Sequence, residues 1–323
     1  MTSACSRRSF LAGVGAVLAS SAAPVRGLSA PGFDTSPIDR ADPAIAAATP
    51  EIRFGYSAIT WKEDDRQAIA DLSALGFKGI QLRSNILKTF GTQPQALREL
   101  LDKHGLTFVA LSSGNVRLDP AVEADDLALH AAHAKFVHDA GGLYLQVTDQ
   151  RPKGRAVTPD DYKRMGRLIT EIGKRSADVG IPLGYHNHLN DLGERPREVD
   201  WILEAADPRY VKLELDTAYY HLGGGSPVKA VEKYADRLLF LHIKDAKATA
   251  PPVPEGEVQR AYTFVELGEG QVDIAGVLGA LKRVKFRGWA VVELDSVPEK
   301  ERTPKQSAEM CKHYLEDKLG LKI

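Results

Sequence analysis

Short β-rich runs recur along most of this chain, each followed by a longer segment with helical spacing of apolar residues, and this pattern restricts the fold more than any other feature. The runs begin near Arg53 (RFGYS), Gly79 (GIQLR), Thr107 (TFVALS), Gly142 (GLYLQVT), Pro182 (PLGYHNH), Val211 (VKLELD), Leu238 (LLFLHIKD) and Trp289 (WAVVELD). Eight strands alternating with helices predict an α/β fold, a closed (β/α)8 TIM barrel. Residues 51–323 number 273, close to the roughly 250 typical of such barrels. The competing architecture, a doubly wound open sheet, would carry a glycine-rich phosphate fingerprint after its first strand, and none follows RFGYS. Strand starts are 26 to 40 residues apart until a last interval of 51, so the final connection is expected to hold an insertion, about Ala246–Asp273. With Pro251, Pro252 and Pro254, that insertion is a candidate lid or dimer contact.

The first 30 residues stand apart. Arg7 and Arg8 precede Phe10, Leu11 and a Gly/Ala/Val-rich run ending in small residues before Pro24, which resembles a twin-arginine export signal. The apolar run, about 13 residues, is too short for a membrane span, which needs about 20, so no stable membrane anchor is expected. Cleavage is expected after Ala22 or Ala30; removing residues 1–30 takes away Arg7, Arg8 and Arg26 with no acid and moves the net charge from −1 to −4. The expected compartment is the periplasm. Residues 31–50 hold four prolines and no period, and read as a linker or surface arm before a catalytic domain at 51–323. Cys5 leaves with the signal, and Cys311 alone forms no internal disulfide. Export in the folded state favours a protein loaded with metal or cofactor beforehand. With 42 basic against 43 acidic residues and no basic run, the chain lacks the electrostatic footprint of a nucleic-acid binder. Only 23 of 323 residues are Trp, Phe or Tyr, which favours a small carbohydrate over a polysaccharide.

In such a barrel chemistry belongs at the carboxyl ends of the strands. There the chain places Tyr185-His186-Asn187-His188 on strand five, Glu214-Leu215-Asp216 on six, His242-Ile243-Lys244-Asp245 on seven and Glu293-Leu294-Asp295 on eight. Residues two apart share a strand face, pairing His186 with His188, Glu214 with Asp216, His242 with Lys244, and Glu293 with Asp295. One ligand from each of four strands (His186, Asp216, His242, Glu293) would converge above the barrel mouth. Mixed His and carboxylate ligands suit Mn, Zn, Co or Fe better than Mg or Ca. Each histidine taken singly reads equally as a hydrogen-bonded strand end; four such positions on consecutive strands do not.

The motifs YHNH, LDT, LHIKD, GEGQVD and VVELD together resemble the sugar phosphate isomerase/epimerase branch of the xylose isomerase-like TIM barrels, over about residues 51–320. The resemblance implies a divalent metal held by an acid on strand five, Asp on six, His on seven and Glu on eight, matched here by Asp216, His242 and Glu293. Strand five departs from that pattern, so His186 is the expected fourth ligand and His188 the general base, the reverse assignment staying open. Gln81 stands on strand two where relatives often carry Glu, and Gln cannot act as a base.

Family chemistry implies chelation of a carbonyl and its neighbouring hydroxyl, removal of the adjacent proton and a metal-stabilised enediolate, leading to epimerisation, isomerisation or β-elimination. Lys244 is a candidate to stabilise the oxyanion or protonate a leaving group, against a salt bridge to a rim acid. Arg83, Trp61 and Tyr56 are candidates to line the pocket, the aromatics equally to pack. Export argues against a phosphorylated substrate and towards a lyase that eliminates the aglycone from 3-keto-glycosides, fed by an exported sugar dehydrogenase. The alternatives are a ketose epimerase or aldose-ketose isomerase on free sugars, a metal-free sugar-binding barrel, and a three-metal endonuclease, against which Gln81, Gln146 and the near-neutral charge argue. Barrels of this type frequently dimerise, so a homodimer is compatible with the sequence.

Overall fold

The computed structural model describes residues 52–254 and 256–323; the expected signal (1–30) and linker (31–50) lie outside the described residues. Eight parallel strands close in the order β1-β10-β7-β6-β5-β4-β3-β2. They are β1 (Ile52–Ser57), β2 (Gly79–Arg83), β3 (Thr107–Val116), β4 (Tyr144–Asp149), β5 (Leu183–His186), β6 (Val211–Asp216), β7 (Leu238–Ile243) and β10 (Gly288–Val292). The open-sheet alternative is thereby excluded. The ring closes through β1 and β10, where Ile52 to Tyr56 run alongside Gly288 to Val292.

Helices alternate with the strands: α1 (Asp65–Leu75), α2 (Pro94–Lys103), α3 (Glu123–Asp139), α4 (Pro159–Asp178), α5 (Pro196–Ala205), α6 (Thr217–Leu222), α7 (Pro227–Lys233), α8 (Ile274–Arg283) and α9 (Pro304–His313). Their ends follow local chemistry. Asp64 accepts from Gln67 N to start α1, which Gly76 stops in the left-handed conformation, and Thr158 and Asp161 form a capping box around the Pro159 start of α4. Among the described residues no helix is long and apolar enough to cross a membrane.

Strands sandwiched between helices and barrel interior are apolar on both faces, and the interior floor is a buried cluster of Val109, Ala110, Phe240, Trp289 and Val291. Gly79 is required there: a Cβ on it would lie 2.4 Å from the Trp289 ring. The expected insertion is real and ordered as an antiparallel hairpin of β8 (Asp245–Ala248) and β9 (Tyr262–Val265).

Several boundaries differ from the expectation. The fourth strand starts at Tyr144 rather than Gly142, the fifth ends at His186, the seventh at Ile243 rather than Asp245, and the last at Val292, so that Lys244, Glu293 and Asp295 follow their strands rather than end them. His188 is therefore not on strand five, and alternation of side chains does not place it.

Candidate active site and metal centre

Four strand ends deliver the expected cluster. His186 is the last residue of β5, Asp216 the last of β6, His242 the penultimate residue of β7, and Glu293 follows β10 directly. One ligand atom from each lies within 4.8 Å of every other, and all four residues are buried. Asp216 also caps α6: its Oδ1 accepts from Tyr219 N at 2.7 Å, which leaves Oδ2 facing the cluster.

The residues fit a metal. Asp216 Oδ2, His186 Nδ1 and His242 Nδ1 are buried and have no hydrogen-bond partner among the described residues, a costly state unless something else fills their valence. His242 Nε2 lies 2.5 Å from Gln81 Oε1 and 2.6 Å from Glu214 Oε1, so it carries the proton and Nδ1 keeps its lone pair. Burial opposes a cation on His242, yet the Glu214 and Glu293 carboxylates outweigh it and raise the ring's pKa well above its ordinary value, so that a metal ion at Nδ1 would take the place of a second proton there. On Glu293 burial is likewise outweighed, by His242 and Lys244, which hold the carboxylate ionised. The field at the centre favours positive charge.

Three supporting residues carry roles that strand patterns do not announce. Glu214, fully buried beneath the cluster with its pKa pushed up to about 7, chiefly by burial, approaches His242 and lies 3.7 Å from His186 Nδ1. Its signal was present, two residues before Asp216 and so on the same face. Gln81, unable to act as a base, orients His242 instead. Asn187 reaches β6, its Oδ1 accepting from Asp216 N at 3.0 Å and its Nδ2 donating to Asp216 O at 3.3 Å, and so holds the end of β5 against β6 where the backbone ladder stops.

His188 lies on the loop after β5, its ring 6.0 Å from that of His186 and 4.1 Å from that of Tyr219. Its Nδ1 is 2.7 Å from Leu189 O and 3.3 Å from Asp191 Oδ2; a carbonyl only accepts, so Nδ1 bears the proton and Nε2 the free lone pair. Burial disfavours the cation, but Asp191 outweighs it and raises the pKa. The loop is pinned from behind by Asp149, which ends β4 and accepts from Tyr185 Oη, Leu192 N and Gly193 N. Gly193 is obligatory, since a Cβ there would meet the Tyr185 hydroxyl.

Lys244 is fully buried. Its ammonium lies 3.0 Å from Glu293 Oε1 and 2.6 Å from Asp295 Oδ1, and 4.2 Å from the ring centroids of both Tyr219 and Phe264, the latter on the hairpin. It is held in the salt bridge weighed from sequence and touches the cavity only through the two carboxylates. That cavity, about 540 Å³, is lined by His186, His188, His242, Glu293 and Asp295 on one side and by Ser57, Ser112, Asn115, Gln146 and Thr148 on the other. Arg83 lines it as expected. Tyr56 and Trp61 do not: they pack edge to face in the core, the Trp61 indole donating to Asp71.

The family model for the xylose isomerase-like TIM barrel matches residues 69–314. The chain belongs to that family. It is 24% identical over 293 residues to an inosose dehydratase of Geobacillus kaustophilus, covering 82% of this chain and 94% of that one. It is 25% identical over 277 residues to the rhizopine catabolism protein MocC of Rhizobium meliloti, covering 76% and 82%. Among solved structures, the IOLI protein with a bound zinc atom superposes with a TM-score of 0.68 at 17% identity, over 82% of this chain and 97% of that one. These structural likenesses concern the fold.

Proposed function

We propose that this protein is a divalent-metal-dependent, carbohydrate-acting enzyme that removes a proton beside a carbonyl and then expels a β substituent, a lyase whose specific substrates are 3-keto-glycosides. The observation that carries this reading is the convergence of His186, Asp216, His242 and Glu293 on one point, with a further imidazole, His188, on the same cavity. The metal-binding IOLI fold and the relatives named inosose dehydratase support a metal centre and an elimination respectively. The four residues would hold the ion, and two imidazoles with two carboxylates suit Zn, Mn, Co or Fe before Mg or Ca. When bound, the ion supplies Lewis-acid pull on a carbonyl oxygen.

The remaining work falls to the chain. The proton on the carbon beside the carbonyl moves to His188 Nε2, and the C–H electron pair forms the enediolate. Asp191 stabilises the imidazolium. Collapse of the enediolate breaks the β C–O bond, and the proton on His188 passes to the departing oxygen. Lys244 keeps Glu293 ionised and holds the Glu293 and Asp295 carboxylates in place. Across the cavity Ser57, Ser112, Asn115, Gln146 and Thr148 offer no acid or base, and Lys88 on the same rim is paired with Glu63, whereas two-base epimerisation needs a proton donor on each face of the carbon. This asymmetry supports elimination.

The test is metal content followed by release of a chromogenic aglycone from a 3-keto-glucoside, with Glu293→Gln and His188→Ala as controls. Stoichiometric metal with release lost in both variants is expected. Metal without release moves the function to a ketose epimerase or isomerase, and protein that takes up no metal sinks the enzymatic reading. The proposed compartment is the periplasm, on the strength of Arg7 and Arg8; replacing both with Lys should leave the protein in the cytoplasm. The 3-keto substrate then requires a sugar dehydrogenase in the same compartment.

A further inference from the structure

The cavity has two chemically distinct ends, and the one opposite the metal ligands sets a cationic side chain, Arg83, beside neutral polar ones. Gln81 and Arg83 are two residues apart on β2 and share a face; since Gln81 reaches His242, Arg83 stands above it at the barrel mouth, where it lines the cavity. Among the described residues its guanidinium makes no hydrogen bond or ion pair. The acids around it are already engaged: Asp65 accepts from Asn85 Nδ2 at 2.7 Å, and Glu63 holds Lys88 at 2.9 Å. Deeper on the same side, Gln146 is 2% exposed, lines the cavity, and its Oε1 is buried without a partner among the described residues. Asn85, at the rim, has an unpartnered buried Oδ1 as well. Buried amide oxygens in a polar cavity are left unserved only when a ligand or water completes them.

We infer that the β2–β4 end of the cavity is a subsite for a carboxylate on the substrate, gripped by the free Arg83 guanidinium, with Gln146 taking a hydroxyl between that group and the reacting carbonyl. This rests on the enediolate reading above and narrows its substrate class to keto sugars or cyclitols that carry a single negative charge. A carboxylate fits better than a phosphate for two reasons. Arg83 presents a planar fork that matches a carboxylate in two parallel hydrogen bonds. It is also the one cation on that rim free of an acid partner among the described residues, since Lys88 is committed to Glu63, so the subsite offers one charge rather than two.

The experiment is calorimetric titration of L-sorbose and of 5-keto-D-gluconate, which differs from L-sorbose by a terminal carboxylate in place of a hydroxymethyl group, into zinc-loaded and metal-free wild type, Arg83→Gln and Gln146→Met. The acid is expected to bind at least about tenfold more tightly than the ketose in wild type, a ratio that weakens with added salt. In Arg83→Gln the ratio collapses towards one; in Gln146→Met both affinities fall and the ratio persists. Equal affinities in wild type, no binding of either ligand, or a ratio that survives Arg83→Gln overturns the subsite. D-fructose and D-fructose 6-phosphate form a second pair, and a larger preference there than for the carboxylate overturns the choice of anion. Because Arg83 is not a metal ligand, the preference is read in metal-free protein too. Failure of zinc to bind thus counts against the proposed function alone.

Discussion

Glu214 shows how much of this site depends on residues that would not touch the metal. Its carboxylate sits under the cluster, 2.6 Å from His242 Nε2, and together with Gln81 it makes Nδ1 the free nitrogen of that ring. Carboxylates and amides behind ligating histidines fix the tautomer and the ring plane, and their loss typically weakens metal binding by about 10- to 100-fold. Glu214→Gln keeps the shape and removes the charge, so zinc affinity measured by chelator competition should fall by about that factor while far-ultraviolet circular dichroism is unchanged. Undiminished affinity would mean that Gln81 alone orients His242. From sequence, the four ligands were legible because each closes an apolar run at a strand end, and Glu214 was placed on the face of Asp216, but the part that Glu214 and Gln81 play behind His242 is revealed only by three-dimensional adjacency. His188 was found for a reason that failed: β5 stops at His186, and it is the turn held by Asn187 and Asp149 that sets His188 over the cavity.

At the scale of elements, the hairpin and the loop after β5 form one unit. Arg260, between β8 and β9, donates to Glu194 at 2.5 and 2.8 Å and to Asn190 Oδ1 at 2.8 Å, and Glu194 is nearly fully buried. The same hairpin rests Phe264 on Tyr219 and Lys244. Arg260→Ala would strip the hydrogen-bonded cation from a buried carboxylate and leave it only Arg151 at 3.7 Å, and a loss of about 1.4 kcal/mol locally corresponds to a tenfold faster opening. Amide exchange in both Asp245–Val265 and Asn187–Glu194 should accelerate by about that factor together; acceleration in the hairpin alone would show that the two segments are independent. A 51-residue gap between strand starts announced an insertion here, but its β-structure was masked by three prolines and by the shortness of each strand.

A second element-scale prediction concerns α3 against β3. Ser113 Oγ lies 2.6 Å from His130 Nδ1 and 2.7 Å from His133 Nδ1, and burial, reinforced by His133, pushes the His130 pKa down to about 4. The unfolded chain, with an ordinary histidine near 6.5, therefore binds a proton between those values that the folded chain refuses. Stability is fully present above pH 6.5 and declines as pH falls towards 4, by about 2 kcal/mol at pH 5 for this group. Urea unfolding of metal-free protein at pH 7 and pH 5 should show a smaller acid loss in His130→Gln than in wild type. Identical losses would place the acid sensitivity elsewhere.

For the molecule as a whole, the metal centre exists only once four neighbouring strands of the barrel are in place. His186, Asp216, His242 and Glu293 come from β5, β6, β7 and the end of β10, strands neighbouring one another round the ring although more than a hundred residues separate the first ligand from the last. An unfolded chain cannot assemble them, so zinc would bind the native state alone and stabilise it by about 2.7 kcal/mol at a hundred times its dissociation constant. In a protein of this size each kcal/mol moves the melting temperature by roughly 2–4 °C, which makes the expected rise about 5–10 °C. Glu293→Gln should lose most of that rise, whereas wild type stripped with chelator and reloaded should recover it. A melting temperature indifferent to zinc would mean either that the four ligand atoms never close on an ion or that the barrel is not tightened when they do, and zinc content measured on the same sample separates the two.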